Sequence, residues 1–107
     1  MTTKFISKDA RAALALKMKN VSFGELVRSM RLTDEITQSE LAKRLEVSRQ
    51  FLNAVELGKS QVGLDFAKRV ADALGYSAEP FAEILVKEQL RKAGIDCDII
   101  LKPNPAA

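Results

Sequence analysis

Arg49, Gln50, Asn53 and Ala54 follow a spacing that sets four side chains of complementary chemistry along one side of a helix, with Leu57 a turn further on. Arg49 offers two donors that match guanine O6 and N7. Gln50 and Asn53 each carry a donor and an acceptor, as the N6 and N7 edge of adenine demands, and Ala54 has the size to meet a thymine methyl. The expected chemistry is non-covalent reading of base edges. A polar stripe by itself is more often a solvated helix face, so its meaning depends on the elements that hold it.

The flanking residues spell out two short helices and a tight turn. Thr37 and Glu40 have the spacing of a capping box, with Ile36 and Leu41 as the hydrophobic staple, which starts a helix at Gln38. Leu41, Ala42 and Leu45 give that helix a narrow apolar stripe, which Glu46-Val47-Ser48 interrupts. Ser48 is placed to cap a second helix from Arg49 to about Leu57, with Val47 and Leu52 as its staple and Gly58 closing it in the left-handed conformation. Leu52 and Val55 then face Leu41, Leu45 and Val47, and Ala42 is small where the helices cross. Two helices joined by a three-residue turn form the arrangement that sets one of them into the major groove of DNA, which favours base reading over a solvated face.

The stretch from about Val27 to Ser77 resembles the helix-turn-helix family of phage Cro and repressor proteins, also called the Xre family. The likeness is carried by VRSMR at the end of a first helix, TQSELAKRL, VSRQ, the ELGKS that follows, and AKRVADALGYS in a fourth helix. It implies an all-α fold, a lambda-repressor-like five-helix DNA-binding domain, with double-stranded DNA as partner. It further implies that Arg49 and Gln50 hold the main base-contacting positions and that Gln38 bonds a phosphate at a helix N-terminus, where an anion is favoured. Ser48, Lys59 and Ser60, with the backbone after Gly58, are the other expected phosphate contacts. Arg31 and Glu56 match the family's partly buried ion pair, which would brace the reading helix. Glu46 and Glu35 depart from the pattern by standing where the family usually has glycine, so the backbone there either strains or takes another turn. Glu35 and Asp34 also put two acids near a surface expected to be positive.

Three further helices are expected around this motif. Ser22 and Glu25 form a second capping box, with Val21 and Leu26 as staple, for a helix from Phe23 to about Leu32 that buries Phe23, Val27 and Met30. A fourth helix, Leu64 to Leu74, would bury Leu64, Ala67, Val70, Ala71 and Leu74 and end at Gly75. A fifth follows Ser77, accepts Pro80 in its first turn and continues through Phe81, Ile84, Leu85 and Leu90 to Gly94. Its apolar stripe, including Phe81 and Leu85, is the expected dimer surface. Beyond Gly94, Ile95, Cys97, Ile99 and Leu101 alternate with mostly polar residues in a strand pattern for which the chain supplies no partner strand. That segment either pairs with its copy across a two-fold axis, extending the dimer surface, or packs on its own domain. Cys97 is a small apolar packing residue in either case, unless the two-fold brings two copies close enough to oxidise.

A chain of 107 residues holds one domain with a modest core, and helical domains this small commonly bury more apolar surface by dimerising. Three segments are expected: a basic arm or helix over 1–22, the DNA-binding domain over 23–77 and a dimerisation segment over 78–107. The net charge of +3 is unevenly placed. Lys4, Lys8, Arg11, Lys17 and Lys19 face only Asp9 before the motif, whereas residues 23–77 balance. This basic segment either reaches DNA, as arms do, or forms a solvated alanine-rich helix. The chain has no histidine and one cysteine, which excludes a histidine-containing zinc site, an internal disulfide and a thiol–imidazole pair. There is no nucleophile beside a base and no phosphate-binding glycine loop, so neither an enzyme nor a cofactor is expected. With no leader and no apolar run long enough to span a bilayer, a cytoplasmic protein without a membrane partner is expected. The expected function is a dimeric repressor binding an inverted-repeat operator through the helix Arg49 to Leu57. An autorepressing antitoxin with a cognate toxin partner and a pure interaction module are the alternatives.

Overall fold

The computed structural model describes residues 21–105, and the basic arm or helix expected before Val21 lies outside the described residues. Among the described residues five helices form: α1 Phe23–Thr33, α2 Gln38–Leu45, α3 Arg49–Glu56, α4 Leu64–Leu74 and α5 Ala78–Lys92. Among the described residues there is no strand, and no helix is long and apolar enough to cross a membrane.

The first three helices begin where a short polar side chain takes up an amide that has no partner inside the helix. At α1 the capping box is complete: Ser22 Oγ accepts from Glu25 N at 3.1 Å, and Glu25 Oε1 accepts from Ser22 N at 3.0 Å. At α2 it is half made. Thr37 Oγ1 accepts from Glu40 N at 3.0 Å, but the Glu40 carboxylate turns to Arg44 Nη2 one turn on, at 2.7 Å. Ser48 Oγ caps α3 by accepting from Phe51 N at 3.0 Å. A second cap for α1 comes from far along the chain, where Glu88 Oε1 on α5 accepts from Phe23 N at 2.7 Å.

The helices close around one core in which Leu26, Val27, Leu41, Leu52, Ala67, Val70, Ala71 and Phe81 have no exposed surface. Two placements differ from the sequence expectation. Leu64, the first residue of α4, is 52% exposed, while Ala67, Val70, Ala71 and Leu74 are buried as expected and Phe66 takes the place of Leu64 in the stripe. Phe81 and Leu85, expected on a dimer surface, are 0% and 4% exposed within the single chain. Helix α5 packs on α4 and α1, so these side chains fill the domain's own core and cannot also face a partner.

The tail after α5 runs as coil, and the strand expected there does not form in the single chain. A strand needs a ladder, and here the backbone finds other partners. Leu101 N donates to Glu83 Oε1 at 2.8 Å, and Asp98 meets Lys87 Nζ at 3.5 Å. The tail thus folds back along α5. Ile99 is half-buried, whereas Ile95, Cys97, Ile100 and Leu101 are exposed.

Candidate nucleic-acid interface

Helix α3 is held from behind by Leu52 and Val55, both buried, and its outer side carries the residues whose chemistry suits base edges. Arg49 and Gln50 are exposed, Asn53 and Ala54 half-buried, and Leu57, just past the helix, is 58% exposed. Phe51 steadies the flank by meeting Phe66 of α4 edge to face, with ring centroids 5.7 Å apart. The α2–α3 turn is tied down from α4 as well. Arg69 lies over the Phe66 ring and donates to the Leu45 carbonyl at the end of α2.

A polar network joins the outer side of α3 to the interior. Arg31 and Glu56 form a two-pronged buried ion pair, with Nε to Oε2 at 2.8 Å and Nη2 to Oε1 at 3.0 Å. A third guanidinium bond runs from Arg31 Nη1 to the Ile36 carbonyl at 2.9 Å, fixing the α1–α2 loop. Gln38, the first residue of α2, then donates from Nε2 to Glu56 Oε1 at 3.1 Å and to Asn53 Oδ1 at 3.0 Å. Its own Oε1 accepts from Arg49 Nη1 at 3.3 Å. The structure therefore brings Gln38, Arg49 and Asn53 into one hydrogen-bonded group supported by the ion pair.

The expected phosphate contacts are less alike than the sequence suggests. Both protons of the Gln38 amide are engaged within the protein, which leaves the backbone amides at the start of α2 as the anion-facing groups of that helix end. Ser48 Oγ is an acceptor in its cap and still has a proton to donate outward. The backbone amides of Lys59 and Ser60 turn back to the Ala54 carbonyl, at 2.8 and 3.3 Å. The two residues can meet a phosphate only through their side chains, with Lys59 exposed and Ser60 half-buried. Of the two acids near this surface, Asp34 accepts from the Tyr76 hydroxyl at 3.2 Å. Glu35 is exposed in the turn that follows.

Residues 27–81, just over half of the chain, match the family model described as helix-turn-helix. The chain belongs to the Cro- and repressor-type helix-turn-helix family. A solved structure described as a hypothetical transcription factor, NHTF, from Neisseria is similar, at 26% sequence identity and a TM-score of 0.54 over 65% of this chain and 79% of that one. No curated protein matches the sequence. As a family member the chain is a DNA-binding transcriptional regulator, and α2 and α3 are the two helices of its motif.

Three residues that position this motif escaped the sequence reading. Gly24 on α1 is the closest fitted: a Cβ there would lie 2.3 Å from the Val55 carbonyl oxygen and 2.7 Å from that of Glu56. Only glycine lets α1 approach the end of α3 so closely. Phe51 and Arg69 are the other two. Their partners, Phe66 and the Leu45 carbonyl, lie on other helices, and no local spacing announces them.

Proposed function

We propose that this helix-turn-helix protein is a sequence-specific repressor that sets α3 into the major groove and binds as a homodimer to an inverted repeat. The observation that carries this reading is the convergence of Arg49, Gln50 and Asn53 on the outer side of α3, with Gln38 bonded to two of them. Side chains held before binding lose less freedom on contact with a base. The description of the similar Neisseria protein as a hypothetical transcription factor supports the same reading.

Dimerisation is inferred from apolar surface that one copy leaves in water. Ile95, Ile100 and Leu101 are exposed together on the tail, at 51%, 72% and 39%, and the same segment on a second copy would cover them. With Phe81 and Leu85 committed to the core, the tail is the part of the expected dimer surface that stays exposed. A dimer would place two α3 helices about one turn of DNA apart, and blocking of polymerase follows where such a site overlaps a promoter.

The test is selection of bound sites from a random duplex pool at two salt concentrations. Enrichment of an inverted repeat supports a dimeric sequence-specific regulator. Enrichment of a single half-site retains base reading and removes the dimer, while binding without any preferred sequence removes base reading.

A further inference from the structure

Helix α3 ends on a leucine that points straight away from the core. Leu57 N donates to the Asn53 carbonyl at 3.0 Å, and at φ −84° and ψ −3° the residue continues the helical path before Gly58 turns the chain away at φ 77°. At about 100° per residue, Leu57 falls about 80° round the helix from Arg49, between Asn53 at about 40° and Gln50 at about 100°. The buried Leu52 and Val55 lie at about 300° and about 240°, almost opposite. Leu57 is therefore central to the outer side of α3, and it is 58% exposed there. The other large apolar side chains left in water among the described residues, Leu32, Leu64, Ile95, Ile100 and Leu101, belong to α1, α4 or the tail. A single exposed leucine is ordinary on most surfaces. This one stands in line with the residues whose chemistry suits base edges, where a polar side chain would gain a hydrogen bond that leucine forgoes.

We infer that Leu57 packs on the C5-methyl group of a thymine in the major groove, which makes it a further specificity-determining residue. This rests on the DNA-reading function proposed above and continues the same interface. Every base pair shows donors and acceptors in that groove, and thymine adds the one apolar group, its methyl, that gains by meeting a branched apolar side chain. Set against any other base edge, the leucine would strip water from a donor or acceptor and return no hydrogen bond. Selectivity for thymine thus comes both from the gain at one base and from the loss at the others. Arg49 and Leu57 are separated along α3 by a rise of about 12 Å, so the thymine is expected about two to four base pairs from the base that Arg49 reads. Cytosine methylated at C5 presents its methyl group in the same place, so the same contact makes binding sensitive to that modification.

The experiment takes the duplex selected by the full chain and replaces each thymine in turn by deoxyuridine, which lacks only the methyl group. At one thymine of a half-site the exchange should weaken binding about fourfold in the unaltered protein and hardly at all in Leu57→Ala. Leu57→Met, which keeps an apolar side chain of similar reach, should retain the effect. Cytosine placed at that position should gain about fourfold on methylation at C5 in the unaltered protein and not in Leu57→Ala. Because Leu57 is exposed, neither variant should disturb the fold, and thermal melts check this. Persistence of every uracil effect in Leu57→Ala, or no uracil effect at any thymine, would overturn the inference while DNA reading stands. An equal loss on all duplexes would overturn it by placing Leu57 against the sugar–phosphate backbone, and loss of a dimer in sedimentation with thymine preference unchanged would do so by placing it against a second copy. Failure of the unaltered protein to bind any duplex at low salt would instead overturn the proposed function, and this inference with it.

Discussion

Glu56 Oε1 accepts from Arg31 Nη2 at 3.0 Å and from Gln38 Nε2 at 3.1 Å, so one carboxylate oxygen joins α1, α2 and α3. The Glu56 side chain is almost fully buried. A carboxylate in that setting is tolerable only while both its oxygens are bonded, and the same bonds fix where α3 lies relative to α2.

Removing one partner should therefore cost more than removing both. Arg31→Ala leaves the Glu56 charge buried without its cation and should lower the unfolding free energy by about 3–5 kcal/mol. A double change to Arg31→Met and Glu56→Met should lose much less in urea titrations, because two apolar side chains can occupy the vacated space. Equal losses in the single and double variants would show that the pair contributes packing rather than charge compensation.

Gly24 gives a second stability prediction with a purely steric origin. In Gly24→Ala the new Cβ would fall 2.3 Å from the Val55 carbonyl oxygen, and backbone cannot swing aside as a side-chain end can. Relief requires α1 to move away from the end of α3, at a cost of about 1–3 kcal/mol. Because the contact that is opened seats the end of α3, affinity for a selected DNA site should fall further than the lost stability accounts for. Thermal melts and titration of the same preparation separate the two effects.

What was legible in the sequence is what adjacent residues decide among themselves. Ser48 as a cap, the capping box of Ser22 and Glu25, and Gly58 at φ 77° all follow from short-range backbone needs, and each is found in place. An apolar stripe, by contrast, says that a face is covered and not by what. Phe81 and Leu85 read as partner-facing because nothing local reveals that α4 and α1 lie against them. The Gln38 network was partly visible as separate residues with separate roles. That Gln38 bonds to Asn53 and Glu56 depends on how α2 crosses α3, a long-range fact. The tail shows the same limit, since its alternation fits a strand while Glu83 and Lys87 hold it as coil.

The two departures from glycine hold strain that a substitution can release. Glu46 closes α2 at φ 58° and ψ 41°, and Glu35 lies at φ 57°, both in the left-handed region that costs a side-chain-bearing residue about 1–2 kcal/mol. Glycine lacks that penalty but has more freedom to lose on folding, by roughly 0.5–1 kcal/mol. Glu46→Gly and Glu35→Gly should each stabilise the fold by up to about 1 kcal/mol, seen as a higher urea midpoint with an unchanged slope. Their effects should add, because the two turns lie at different ends of α2.

Arg49 and Lys59 should fail in different ways when each is replaced by alanine. Arg49 is exposed at the start of α3 and tethered by Gln38, the place from which two parallel donors can address one guanine. Its loss should cost about 1–3 kcal/mol at the preferred site and relax the preference at one position of each half-site, leaving the salt dependence little altered. Lys59 is exposed in the loop after α3, with its backbone amide committed to Ala54, so only its ammonium is available to DNA. Lys59→Ala should weaken all sequences by similar factors and reduce the slope of log affinity against log salt by about 1 per half-site. Binding titrations at several salt concentrations, on the selected site and on a scrambled one, distinguish the two patterns. A sequence preference unchanged by Arg49→Ala would remove Arg49 from the reading surface, and an unchanged salt slope in Lys59→Ala would remove the loop from the phosphate contacts.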